Sequence, residues 1–315
     1  MSEQSSTVLD ADQLKAEVRK FWNRQSCDTQ VAKAAKYSRE YFEQIEAFRY
    51  FDQPFIHSFA QFSRYHGKKV LEVGFGAGTD FTQWLRAGAR ASGIDLTEEA
   101  LRNLKHRIEA YGLPQPESIQ TGDAENLPFP SDQFDLGYSF GVLFLCPSTK
   151  KAITELVRVI RPGGELKIMI YNRRSIFVIN RWIKFALLKG QPWRSLKWVL
   201  WHHNESLGTK AYTRKEVLEL LDGLPLESIQ VHTEVTAADA LSASAFPPLN
   251  YFYRAVMHLA GWRFGWHPSQ YVYRIDAEEP DQKQHAPPPP SKANAPLFTG
   301  NPLGFFHCIT ARKKT

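Results

Sequence analysis

The sequence predicts an α/β fold: a mostly parallel sheet of seven strands, extended by helical insertions. Two observations carry that prediction. From Lys68 to Asn172, short apolar runs alternate with stretches of helical period, the pattern of a parallel sheet with crossover helices. The first apolar run, Val70-Leu71-Glu72-Val73, empties directly into Gly74, Gly76 and Gly78. Glycines there let the backbone turn sharply and approach a ligand with no Cβ in the way.

Taken in order, residues 1–66 precede the sheet. From about Asp12 a helical face of Leu14, Val18, Phe21 and Trp22 emerges, followed by an aromatic-rich helical stretch over roughly 33–62. In the core, 67–172, residues 70–73 form the first strand, and a helix after Gly78 turns Phe81, Trp84 and Leu85 inward. Residues 91–95 are the second strand. Thr97 caps the next helix, with Glu98 and Glu99 in its first turn and Gly112 at its end. Residues 118–121 and 134–140 are strands three and four. Ser148 caps a helix whose apolar side is Ile153, Leu156, Val157 and Ile160, and Arg161-Pro162-Gly163-Gly164 turns the chain into strand five, 165–172. The alternation then breaks with a helical insertion, 173–209. The core resumes over 210–233, where Thr213 and Glu216 make a capping box and 226–233 is strand six. A second insertion, 234–303, carries an aromatic-rich stretch (245–274) and four consecutive prolines (287–290). Residues 304–315 hold the last strand.

Composition bounds the function classes. With 315 residues, 43% hydrophobic and 23% charged, the chain can bury a sizeable core. No run of 18 apolar residues suits a membrane span, and the polar, acid-bearing N-terminal segment is unlike a secretory leader, so the expected location is cytoplasmic. Cys27, Cys146 and Cys308 are odd in number and far apart, which argues against structural disulfides and a zinc site; no metal is expected. A net charge of +6 favours an anionic partner only if it is concentrated somewhere.

The glycine spacing carries chemistry. A dinucleotide fingerprint needs its third glycine at position 79, which is Thr79; the third glycine arrives one residue early. Asp95 ends the second strand, 21 residues after Gly74, where a carboxylate can accept both hydroxyls of a ribose. After strand three comes Gly122-Asp123-Ala124-Glu125, and strand four runs into Gly141-Val142-Leu143-Phe144-Leu145.

Together, LEVGFGAGTD, GIDLTEEAL, GDAENLPF, FDLGYSFGVL and ELVRVIRPGG, in this order and spacing, resemble the class I S-adenosylmethionine methyltransferases of the ubiquinone/menaquinone-biosynthesis type (methyltransferase type 11). The resemblance covers about residues 66–172. It implies a Rossmann-like class I methyltransferase fold and S-adenosylmethionine bound at the carboxyl ends of strands one to four. Residue by residue it implies that Glu72 faces the methionine amino group, and that Gly74, Phe75, Gly76 and Gly78 surround the methionine and ribose. Asp95 would take the ribose, Leu96 the adenine face, Asp123 and Ala124 the adenine edge, and Phe140 the methionine. One departure matters: many relatives have Val-Leu-His-His where this chain has Val142-Leu143-Phe144-Leu145, so acceptor chemistry is not inherited from them.

Methyl transfer from a sulfonium asks mainly for alignment and water exclusion, and for a base only where the acceptor must lose a proton. Acceptor pockets in this fold are built from the N-terminal helices and the insertions after strands five and six. Residues 173–204 hold seven Arg/Lys, no Asp or Glu and six Phe/Trp. That is either a lid with solvated cations or a basic amphipathic surface for an anionic membrane or a lipophilic or anionic small-molecule acceptor. Nucleic acid is disfavoured because no RNA-recognition module accompanies it. His202, Tyr41 and Tyr37 are the candidates for proton handling, each competing with a purely structural role; Arg49 is a candidate for the cofactor carboxylate. The expected activity is methyl transfer to a small molecule. The alternatives are a membrane-surface methyltransferase of a lipid or quinone-like intermediate and a non-catalytic binding protein.

Overall fold

The computed structural model describes residues 9–236, 239 and 296–315. The aromatic stretch 245–274 and the prolines 287–290 lie outside the described residues. One sheet of eight strands organises the rest. The strands are β1 Lys69–Val73, β2 Arg90–Asp95, β3 Ser118–Thr121, β4 Phe134–Phe140, β5 Ile160–Tyr171, β6 Leu226–Glu234, β7 Leu297–Gly300 and β8 Phe306–Lys313. Their order across the sheet is β3-β2-β1-β4-β5-β8-β6-β7. Strands β1 to β5 pair in parallel, while β8 runs antiparallel between β5 and β6.

The order reverses at β1. Helices α4 (Thr79–Arg86) and α5 (Glu98–Tyr111) link β1 to β2 and β2 to β3, whereas α6 (Thr149–Val159) links β4 to β5 on the far side of β1. Right-handed crossovers leaving in opposite directions put their helices on opposite faces. A crevice therefore opens at the carboxyl ends of β1 and β4, where open α/β sheets take ligands. Strand β1 can run through the centre because Val70, Leu71 and Val73 are buried on both faces.

Three expectations need correction. There are eight strands rather than seven: β7 pairs in parallel with β6, inside the segment assigned to the second insertion. Its four residues, Leu-Phe-Thr-Gly, are too short to show a period. The Arg161–Gly164 turn is part of β5, whose pairing with β4 shifts between Phe134 and Leu136; the helix before it stops at Val159, so Ile160 is strand. The stretch 33–62 is two helices, α2 (Arg39–Asp52) and α3 (Phe55–Ala60), broken at Pro54, which lacks the N–H that a continuing helix needs.

The N-terminal helix α1 (Ala11–Arg24) starts at a capping box of Asp10 and Gln13 and buries Leu14 and Val18. Insertion 173–209 supplies α7 (Ile176–Phe185) and α8 (Leu196–His203); α9 (Arg214–Leu221) follows the Thr213 capping box. Among the described residues no helix is long and apolar enough to cross a membrane.

Fully buried Arg107 of α5 bolts α2 to the glycine loop. It donates to Glu46 at 2.7 Å, the Thr79 hydroxyl at 2.8 Å and the Ala77 carbonyl at 3.2 Å. Arg107→Leu strands these acceptors and is expected to lower stability by about 3 kcal/mol, read from urea unfolding at unchanged m; a shift within error would show that the acceptors find other partners.

Candidate active site

The crevice is a cavity of about 410 Å3. One end is made by the carboxyl ends of β1 and β2 and the loop after β3, with α1 across it; the other by the end of β5, α7, the loop after α8 and the segment entering β8.

At the first end the glycine loop closes onto β2. The Gly76 N–H donates to Asp95 Oδ2 at 3.0 Å, while Asp95 Oδ1 accepts from the Thr97 N–H at 2.9 Å and its hydroxyl at 2.8 Å. Burial pushes the Asp95 carboxyl up in pKa against these donors. The three glycines do different work. A Cβ on Gly74, at φ +82°, would overlap Val142 at 2.2 Å. A Cβ on Gly76 meets nothing nearer than Cys27 at 3.9 Å, so it would stand in the cavity itself. Gly78 does not line the cavity: it precedes α4 at φ +77°, and its Cβ would strike Leu104 of α5 at 2.7 Å. The third glycine of the run therefore serves helix packing, a correction to its expected place beside the cofactor.

Glu72, Gly74, Phe75, Gly76, Asp95, Leu96, Asp123, Ala124 and Phe140 all line the cavity. Glu72 accepts from the Trp84 indole at 2.8 Å. Burial and the neighbouring Asp80 charge raise its pKa well above the carboxylate range. For Asp80 burial works in the same direction, but the Arg49 guanidinium, with the hydroxyls of Tyr138 and Tyr50, overrides it and leaves Asp80 ionised. Arg49 grips Asp80 at 3.0 and 2.8 Å and reaches Asp28 at 3.5 Å; it is a buried structural cation whose edge faces the cavity. Asp123 is clamped by Lys15 of α1, which contacts Asp123 and Glu125 at 2.6 Å each.

The proton-handling candidates fall elsewhere. Tyr37 stacks on His106, 4.3 Å between centroids, and Tyr41 is buried edge-on against Tyr37 and Phe42. His202 is exposed at the end of α8, stacked on Trp198 and bonded to that residue's carbonyl. None of the three lines the cavity. The sequence reading missed Glu205, two residues beyond α8, and Tyr171 at the end of β5. The Tyr171 hydroxyl donates to Glu205 Oε1 at 2.6 Å, in the cavity wall. No motif marks either; a lone acid in an acid-free insertion boundary was the only available signal.

Residues 71–168 match the family described as "Methyltransferase domain". This segment is a class I methyltransferase domain. Its cofactor is S-adenosylmethionine. The chain is 36% identical over 118 residues to a malonyl-[acyl-carrier protein] O-methyltransferase of Erwinia billingiae, covering 38% of this chain and 45% of that protein. It is 32% identical over 109 residues to a phosphatidylethanolamine N-methyltransferase of Cereibacter sphaeroides, covering 35% and 53%. The chain thus spans about half the length of these relatives. A geranyl diphosphate C-methyltransferase of Streptomyces coelicolor A3(2) shares the fold at TM-score 0.54, covering 96% of this chain and 98% of that one at 12% identity. The relatives differ in acceptor, so the likeness reaches the domain and not the ubiquinone/menaquinone subtype.

The cavity fits the cofactor on its own terms. Gly76 leaves an open cradle beside the Asp95 carboxylate, and the Trp22 indole N–H on α1 is buried at the cavity with no hydrogen-bond partner. Asp95→Ala removes the anchor of the loop. It is expected to weaken S-adenosylhomocysteine binding at least tenfold by calorimetry; unchanged affinity would refute the ribose assignment.

Proposed function

We propose that this chain is an S-adenosylmethionine-dependent methyltransferase acting on a small, lipophilic acceptor. One observation carries the reading: a single cavity joins the glycine loop to a chamber walled by Phe140, Val142, Leu145, Phe177, Phe305 and Phe306. Glu72, Gly74, Gly76, Asp95, Leu96, Asp123, Ala124 and Phe140 hold the cofactor, which supplies an activated methyl group. The chain's part is to align the acceptor behind that methyl and exclude water. Val142 and Leu145 in the cavity wall suit an apolar acceptor better than a charged one. Calorimetry is expected to show binding of S-adenosylmethionine and none of NAD, and labelled cofactor is expected to transfer its methyl to components of a total lipid extract. Tight binding with no transfer to any lipid or metabolite fraction would favour the non-catalytic alternative.

A second reading adds location: the lid rests on an anionic membrane while loading its acceptor. The link between α7 and α8 holds Leu188 at 74% and Trp193 at 73% exposure, beside partly exposed Leu187 and Ile179. Lys184, Lys189 and Arg194 flank them, within a stretch free of acids. Apolar anchors ringed by cations suit an anionic interface, each cation adding about 1 kcal/mol near the surface. Phe177 and Arg181 of the same helix α7 line the cavity, so the surface adjoins the acceptor chamber. Sedimentation with phosphatidylglycerol vesicles is expected, lost on combining Lys184→Glu, Lys189→Glu and Arg194→Glu and weakened by salt. No sedimentation of the unaltered protein would remove the membrane from the reading and leave methyl transfer standing.

A further inference from the structure

Glu205 lines the acceptor end of the cavity. Its side chain has free accessible surface, yet protein surrounds it, because that surface faces the cavity. Tyr171 holds it from below. That ring is wedged among Phe144, Phe305 and Phe306, at 4.0, 4.2 and 5.6 Å between centroids, so its hydroxyl has one direction to point. The other charged or titratable groups facing Glu205 are Asp28 and Cys27 after α1 and Arg181 on α7. No cation among the described residues reaches ion-pair distance of it, whereas Asp28 and Asp80 share Arg49. Beside it the Asn204 amide N–H is buried with no partner, a donor left for something in the cavity.

We propose that Glu205, oriented by Tyr171, is the general base that removes a proton from the acceptor, and that the acceptor atom therefore carries hydrogen as a hydroxyl, amine or thiol. This rests on the methyltransferase reading above. The acceptor lone pair forms the new bond to the methyl carbon as the carbon–sulfur bond breaks, and that bond's electrons stay on sulfur as a neutral thioether. The proton lost from the acceptor passes to the Glu205 carboxylate and then to water. Burial pushes the Glu205 carboxyl up to about 7, opposed by the Tyr171 hydrogen bond and Arg181 and reinforced by Asp28. A base poised near the working pH combines availability with driving force. Because the carboxylate is the active form, the rate should rise as pH climbs through that value.

Glu205→Gln is compared with the unaltered enzyme on two probes: an alkylphenol, whose proton must leave during transfer, and a nitrophenol, already ionised at about pH 8. The ratio of the alkylphenol to the nitrophenol rate is expected to fall about 100-fold, with the near-neutral limb of the alkylphenol pH profile lost. S-adenosylhomocysteine affinity should stay within about twofold. Asp52, at the end of α2, is a second acid in the cavity wall with its carboxyl pushed up by burial; an unchanged ratio, or a neutral limb that survives here and disappears in Asp52→Asn, overturns the assignment. Where neither phenol is methylated, carbon-13 titration of labelled glutamates in the S-adenosylhomocysteine complex decides. A carboxyl titrating near neutrality, absent from Glu205→Gln and shifted upward by Tyr171→Phe, supports the base; a Glu205 carboxyl titrating below about 5 overturns it. Failure of the unaltered protein to bind S-adenosylhomocysteine would instead defeat the methyltransferase reading itself.

Discussion

The site depends on one buried ion pair, Arg49 with Asp80. Asp80 sits in the first turn of α4, where the helix dipole already favours an anion, and accepts two bonds from Arg49 and one each from the Tyr50 and Tyr138 hydroxyls. Arg49 and Tyr50 belong to α2, Tyr138 to β4, and Asp80 to the helix that follows the glycine loop. Three separate elements are therefore held in register at a single carboxylate. Two charges taken out of water are tolerated only if their remaining bonding capacity is met, and here it is. Helix α2 thereby becomes a fixed wall of the cavity rather than a loosely packed cover.

That pair also sets the state of its neighbours. With Arg49 committed to Asp80 and Asp28, Glu72 has an indole donor but no cation of its own, and burial beside Asp80 pushes its carboxyl up. Asp95 is half-buried and bonded only to neutral donors. Glu72 and Asp95 thus stand at the cofactor end without ion-pair partners, complementary to a ligand that brings positive charge, while Asp123 is already paired with Lys15. An amine and a sulfonium supply it, and a dinucleotide phosphate would not.

The core was legible because its signals are local. A buried central strand, a glycine loop and an acid at the end of β2 are each written within a few residues, and their order alone implies the crevice. Gly78 shows the limit: the sequence shows that a glycine is needed but not whether a ligand or the Leu104 side chain requires it. The acceptor side was not legible because tertiary packing builds it. His202 was chosen for its position near the end of the insertion, and α8 turns it to solvent; three residues later the chain bends back and Glu205 enters the cavity. Tyr171 read as one more strand residue, and only its cage of Phe144, Phe305 and Phe306 gives its hydroxyl a direction. Strand β7 escaped notice because four residues beside a proline-rich stretch carry no period.

Helix α7 joins the two halves of the functional reading. Phe177 and Arg181, four residues apart and so on one face, line the cavity, while Ile179 between them is exposed. A helix with one apolar face normally buries that face in its own core. This one is apolar on both sides, with the arginine turned inward, where burial holds its pKa below the usual value and Glu205 partly restores it. A lid of that kind is suited to an acceptor that leaves one apolar environment for another without crossing bulk water. The inward arginine then supplies a positive charge beside the base, where an acceptor losing its proton develops negative charge. The same element that would admit a lipophilic acceptor thus lies next to the residues that would ionise it.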